Sequence, residues 1–548
     1  MADHSNHSKS IPGANQSANM YSYHPDDQNQ NQIGQDAIRR SLGSMNPNAN
    51  NDYQMQNNSF KNDGSVNHNS IIINVDQSPP MYWMFFLIFG IIQIVLIILL
   101  ANYYVWDNLN HPSSRDTKRN ENAKLIIQQK YKLFQDINIM IYLGYGFLRT
   151  FLKHHSWSSL AITFIGGILS FEFGLFTLIC WSAIFRKDWY QGIFNFQHLL
   201  DANYCSAATV ISMGALFGKL SFAQYVVMII AETFFSTLNY VLLKQSLLII
   251  DIGGALSVHL FAAIFGGIFT LVSFSSRQEK ERIATSPHLR MNYNSNIFAL
   301  FGMLILIAYW PSFNTALVEG NQKYRGIINT YLSITGSIVG TFILSPVNNR
   351  RKLKIDDILN ASFSGGIIIA GCCNIINEFW SSLIFGVIAC EVCSLLFNFF
   401  QEKLIQLGYH DTAGILFYHG IPGFLGGIVS TIFVGNLKNW KNNLILDNQE
   451  IKYFVGELLD YNIFGKDVSD LSFSKRAGIQ FAAIFITIAI AAASGFISGF
   501  LIKFCNCNIA IRYFNDSEFF DVSDNGDNKP FFWDDEKVQI QVKYNMRS

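Results

Sequence analysis

From residue 81 onward, apolar runs of about twenty residues alternate with short polar connections. The hydrocarbon core of a bilayer takes about 20 residues of helix to cross, so each run reads as a transmembrane helix. Twelve runs lie near 81–103, 137–153, 159–185, 202–218, 221–244, 249–275, 296–317, 327–346, 359–376, 379–400, 411–434 and 477–504. The fourth and eleventh are the least hydrophobic, and small polar residues interrupt several others. The pattern predicts an all-α polytopic membrane protein whose twelve-helix domain occupies 81–506 and sits in a lipid bilayer. Residues 1–80 break the pattern. A stretch such as "NPNANNDYQMQNNSFKND" is Asn/Gln-rich and cannot bury enough apolar surface to fold alone. It reads as a disordered cytoplasmic tail, either simply solvated or used for sorting or partner binding. Residues 507–548 read as a second cytoplasmic tail. No apolar run precedes residue 80, so no cleavable signal peptide is expected.

Composition agrees with the membrane reading. The chain has 548 residues, 50% hydrophobic and 14% charged, whereas a soluble domain is about one quarter charged. The formal net charge is zero, so no nucleic-acid partner is implied. Lys and Arg collect in two short loops, "SRQEKERIATSPHLR" (276–290) and "NNRRKLK" (348–354). Both follow even-numbered spans, which puts them on one side. An even span count puts both termini there too, and the positive-inside rule makes that side the cytoplasm. The 105–135 connection, with Arg115, Lys118, Arg119 and Lys124, argues the other way, but a longer connection obeys the rule less well. The sequons, at Asn6, Asn15, Asn57, Asn360 and Asn515, all fall in tails or at a cytoplasmic span end. The eight cysteines fall in spans or beside the last one, and form no external disulfide framework. Cys390 and Cys393 lie mid-span without a matching pair, so no metal site is expected. Cys505 and Cys507 are candidates for acylation. No cofactor is expected, and no P-loop, CxxCH, HExxH or GxSxG motif points to an enzyme.

Two stretches carry the chemistry. Residues 251–267 read "DIGGALSVHLFAAIFGG" and residues 411–427 read "DTAGILFYHGIPGFLGG". Both follow one template: Asp, Gly three residues on, His eight on, and a glycine pair at fifteen and sixteen. The copies lie five spans apart and so cross the membrane in opposite directions, the sequence signature of an inverted five-helix repeat. Equivalent mid-span residues would then meet, which pairs His259 with His419. A buried histidine can simply be a satisfied interhelical hydrogen-bonder. A pair brought together by an inverted repeat can instead share a proton and line a route for a small polar molecule or for H⁺. Asp251 and its counterpart Asp411 start their spans, where a carboxylate caps helix amides. Glu172 and Glu232 are further acids within spans and receive no role from the sequence.

The paired motifs resemble the twin-histidine signature of the ammonium transporter/Rhesus superfamily, and the Rhesus branch in particular. "HDTAGILFYHGIPGFLGG" (410–427), "KYKLFQDINIMIYLGYGFLRTFL" (130–152), "YWPSFNTA" (309–316), "NTYLSITGS" (329–337) and "NASFSGG" (360–366) are similar to Rhesus stretches, and the likeness covers about 81–505. The resemblance implies a homotrimer of the plasma membrane, with one hydrophobic pore per subunit conducting ammonia taken from ammonium. It implies that His259 and His419 are the pore histidines and that Asp251 is the acid near the external mouth, either structural or engaged in deprotonation. Phe313 matches one aromatic of the outer gate, and Tyr204, in "DANYCSAATV", stands where a second phenylalanine is usual. An aromatic gate excludes wide hydrated ions and can hold a cation over its face. Asn203 and Tyr240 replace acids usual at the mouth, although Asp201 offers a carboxylate nearby. Carbon dioxide conduction, or a non-conducting scaffold or sensor, are the alternative readings.

Overall fold

The computed structural model describes residues 81–106, 126–152, 155–187, 192–274, 293–443 and 473–505, with a few isolated positions besides. The N-terminal tail, most of residues 507–548, the basic loop 276–290, the sequons at Asn6, Asn15, Asn57 and Asn515, and Cys507 lie outside the described residues; of the C-terminal tail, Asp516 is described, and it accepts from Ser158 N at 2.7 Å.

Every predicted span coincides with a helical element. In chain order these are α1 (Met81–Tyr103), α2 (127–151), α3 (Ser156–Arg186), α4 (Phe196–Met213), α5 (Phe222–Val241), α6 (Phe261–Ser273), α7 (Tyr293–Thr315), α8 (Gly320–Asn348), α9 (355–368), α10 (Phe379–Gln406), α11 (Ile421–Asn443) and α12 (Phe473–Cys505). Among the described residues, eight helical stretches are long and apolar enough to cross a membrane, on α3, α5 to α8 and α10 to α12. Large apolar side chains on the outward faces, such as Phe301, Phe342, Phe485 and Phe500, stay exposed in the single chain, as a lipid-facing surface requires. The chain is an all-α polytopic membrane protein. A three-residue parallel pairing, β1 (Tyr104–Trp106) with β2 (Gly192–Phe194), ties the end of α1 to the start of α4.

Three spans differ from their expected form. Helix α2 begins at Ile127, ten residues before the predicted start, and mixes α, π and 3₁₀ turns. Its polar first half is helical because its charges find partners: Lys130 pairs with Glu319 at 2.7 Å, and Ser312 donates to Asp136 at 2.7 Å. Helices α4 and α9 stop short, at Met213 and Ile368, and each continues as a run of turns. These two broken helices hold the ends of the repeat. The amide of Gly253 donates to the Ala370 carbonyl after α9, at 2.7 Å. The amide of Ala413 donates to the Gly214 carbonyl after α4, at 3.1 Å. The glycine pairs follow the same exchange. A Cβ on Gly266 would sit 2.9 Å from the Ser212 carbonyl oxygen, and one on Gly426 would sit 2.7 Å from that of Ile368. The same sequence offset separates Gly214 from Ala370 and Ser212 from Ile368, so the inverted repeat extends from the template to the helices it packs on.

Candidate functional site

Each histidine sits in a π-helical turn leading into its helix. His259 lies in Ala255–Leu260 before α6, and His419 lies in Leu416–Gly420 before α11. The template glycine three residues after the aspartate lets both turns begin. Gly254 and Gly414 have φ of +75° and +66°, a region costly for residues with a Cβ. The amides of Val258 and His259 then both donate to the Gly254 carbonyl at 3.0 Å. Such wide turns are frequent at functional sites.

The aspartates cap these turns. Both Asp251 oxygens are engaged: Leu256 N donates to one at 3.1 Å, and Ser257 N and Oγ donate to the other at 2.8 and 2.7 Å. Asp411 accepts from Leu416 N at 2.9 Å, while its Oδ1 has no hydrogen-bond partner among the described residues. Capping by a carboxylate satisfies helix donors that otherwise have no intrahelical acceptor.

The two imidazoles meet. His259 Nδ1 and His419 Nδ1 are 3.2 Å apart, the ring planes are 15° from parallel, and each residue is only 1% exposed. At that distance one Nδ1 donates and the other accepts, so the rings hold complementary tautomers. Their Nε2 atoms are both buried without a hydrogen-bond partner among the described residues. Aromatic side chains surround the pair. Trp310 stacks on His259 at 5.8 Å, Phe363 lies 5.4 Å from His419, and Trp310 and Phe363 stack on each other at 5.3 Å.

The rings continue in both directions as a column. On one side, Phe313 lies 6.3 Å from His259, and Tyr204 stacks on Phe313 at 4.6 Å with planes 19° apart. The Tyr204 hydroxyl donates to the Phe313 carbonyl. The Lys244 ammonium stands over the Tyr204 ring at 5.5 Å and over the Tyr240 ring at 5.0 Å. On the other side, Tyr145 lies 5.9 Å from His419, and the Arg149 guanidinium stands over Tyr145 at 5.5 Å. A cation therefore ends the column at each side.

The structure thus brings His259, His419, Phe313 and Tyr204 into one column and puts Asp251 and Asp411 at the helix starts beside it. Asn203 donates to Asn138 at 3.3 Å. Tyr240 donates its hydroxyl to Asp201 at 2.7 Å, so one carboxylate stands beside the two positions, 203 and 240, that lack one. The single Ser212 hydroxyl hydrogen is shared between the Glu232 carboxyl and the Ala262 carbonyl, the latter at 2.9 Å, an interhelical contact outside the column. Sequence reasoning missed Lys244, Arg149, Tyr145, Trp310 and Phe363. The two cations left a signal, a lone basic residue at the edge of an apolar run. The three aromatics left none in a chain that is 15% aromatic.

Known proteins share this arrangement of chain and fold. The family model described as Ammonium Transporter Family matches residues 86–524. The dog protein "Ammonium transporter Rh type A" is 33% identical over 352 residues, covering 62% of this chain and 80% of its own. "Rhesus-like glycoprotein A" of Dictyostelium discoideum is 33% identical over 365 residues, covering 65% of this chain and 68% of its own. The solved structure of Nitrosomonas europaea Rh50 shares the fold, with a TM-score of 0.57 at 24% identity, over 73% of this chain and 94% of that one. The match spans most of the twelve-helix region and includes both histidine turns: the chain belongs to the ammonium transporter family.

Proposed function

We propose that the chain is a channel for ammonia, taken from ammonium, and that the path runs along the paired histidines. The observation that carries this reading is the 3.2 Å contact between His259 and His419, with both Nε2 atoms left without a partner. Complementary tautomers offer a passing molecule one acceptor nitrogen and one N–H donor. Ammonia accepts one hydrogen bond and donates up to three, so it can use both in turn. An ammonium ion has no lone pair to accept with, and it pays several kcal/mol or more to leave water for an apolar site. A buried aromatic column with two imidazoles at its centre therefore favours the neutral molecule. In this reading Phe313 and Tyr204 form the outer gate, Asp251 and Asp411 fix the turns that aim the rings, and no residue acts as a catalyst. The relatives named as ammonium transporters support the substrate. The basic loops support cytoplasmic termini, and the family resemblance supports a homotrimer in the plasma membrane.

Carbon dioxide is also small, neutral and able to accept from an N–H, so the same column admits it as a second substrate. Stopped-flow uptake into proteoliposomes, under an ammonia gradient and separately under a carbon dioxide gradient, tests both. Ammonia flux well above that of empty liposomes is expected. Flux at the empty-liposome level for both gases would leave a non-conducting membrane protein.

A further inference from the structure

We propose that Lys244 is a tethered cation that occupies the outer face of the gate, so that external ammonium must displace it before resting on Tyr204. The inference rests on the channel reading above. A flat ring offers a cation two faces. One face of Tyr204 is covered by Phe313, stacked at 4.6 Å with planes 19° apart. The Lys244 ammonium stands over the Tyr204 ring at 5.5 Å, which leaves it the opposite, outward face. A second ring closes the seat, because the same ammonium is 5.0 Å from the Tyr240 centroid. Tyr240 donates its hydroxyl to the Asp201 carboxylate at 2.7 Å, and a phenol that donates to an anion gains electron density in its ring and attracts a cation more strongly.

Lys244 makes no hydrogen bond or ion pair of 4 Å or less among the described residues; Asp251 and Asp201 act on it only through their longer-range fields. Its charge is spent on the two rings. A primary ammonium on a four-carbon stem is the chain's own analogue of an alkylammonium ion, held at an effective concentration that free ions reach only in the millimolar range. Lys244 is half-buried and reaches this seat from the π turn Leu242–Ser246, so a stem rotation vacates it. The device gives the gate a specificity for neutral ammonia at low external ammonium and opens the cation seat as ammonium rises.

The test uses the full chain in proteoliposomes and in detergent. Lys244→Met frees the seat, Lys244→Gln does so with a polar end on a stem one atom shorter, and Lys244→Arg keeps a cation over the rings. Binding of methylammonium in detergent, by calorimetry, reads the seat without conduction. The expected result is a Kd lower by roughly three- to thirtyfold, one cation–π contact's worth, in Lys244→Met or Lys244→Gln, with Lys244→Arg matching the parent. The half-saturating external ammonium for uptake should fall in parallel. An unchanged or raised Kd in whichever neutral variant folds would overturn the proposal. Absence of ammonia flux in the parent would overturn the channel reading instead, and the binding comparison would still judge Lys244.

Discussion

The two copies of the template hold the same turn with different chemistry. Around Asp251 the carboxylate is satisfied by three donors from its own helix start, and the third comes from the Ser257 hydroxyl. In the second copy the position of Ser257 is taken by Phe417, and Asp411 accepts from the Leu416 amide at 2.9 Å with no hydroxyl donor among the described residues. What stands near Asp411 is positive charge. Lys219 donates to the His410 carbonyl at 2.7 Å, and the fields of Lys219 and Arg149 both reach Asp411. Helix amides hold both acids; the first adds a hydroxyl donor, and the second has the charges of Lys219 and Arg149 within range. Repetition preserved the shape of the turn, which the histidine requires, and left the means of holding it free to diverge.

Breaking the caps should separate the two copies. Asp251→Ala orphans three buried donors, so a loss of about 3–5 kcal/mol of stability is expected, read as the thermal midpoint of the protein in detergent. A well-folded Asp251→Ala protein at the parent's midpoint would show that the cap is dispensable. A double-mutant cycle should sharpen the contrast. Asp411→Asn with Arg149→Met should show a coupling of about 1–3 kcal/mol, whereas Asp251→Asn with Arg149→Met should be additive within about 0.5 kcal/mol. Equal coupling for both acids would place Arg149 equally in both environments. Ser257→Ala removes one hydroxyl donor and should cost about 1 kcal/mol, again by thermal midpoint. The smallest effect belongs to the gate. Tyr204→Phe keeps the stack on Phe313 and loses the hydroxyl's bond to the Phe313 carbonyl, at about 0.5–1.5 kcal/mol, with ammonia flux reduced less than twofold. A larger flux loss would mean that the hydroxyl itself faces the moving molecule.

The sequence made the site legible where spacing alone carries it. The positions of Asp251, Gly254, His259 and the glycine pair recur at Asp411, Gly414, His419 and their pair, and five spans between copies require opposite directions. That is enough to bring two mid-helix rings together. The π turns were not legible, because six residues are too few to distinguish a wide turn from an ordinary one by apolar spacing. Helices α4 and α9 were overdrawn for a related reason. "GALFG" (214–218) and "IAGCCNII" (369–376) are apolar enough to count as span, yet there the backbone leaves the helix, and Gly214 and Ala370 bond with the template of the other repeat. Lys244 and Arg149 were overlooked because a basic residue at the edge of an apolar run normally marks the water boundary. Here each is folded back over a tyrosine, a contact that depends on residues 40 positions away for Lys244 and four for Arg149.

The central claim is that ammonia moves along the imidazole pair. Stopped-flow ammonia uptake by proteoliposomes carrying His259→Ala, His419→Ala or the parent chain, at matched protein density, tests it most directly. The account predicts that either substitution cuts the protein-mediated flux by about tenfold or more while the protein still folds and assembles as the parent does, since each removes half of a donor–acceptor pair that cannot be rebuilt from one ring. Flux equal to the parent's in both variants would contradict it.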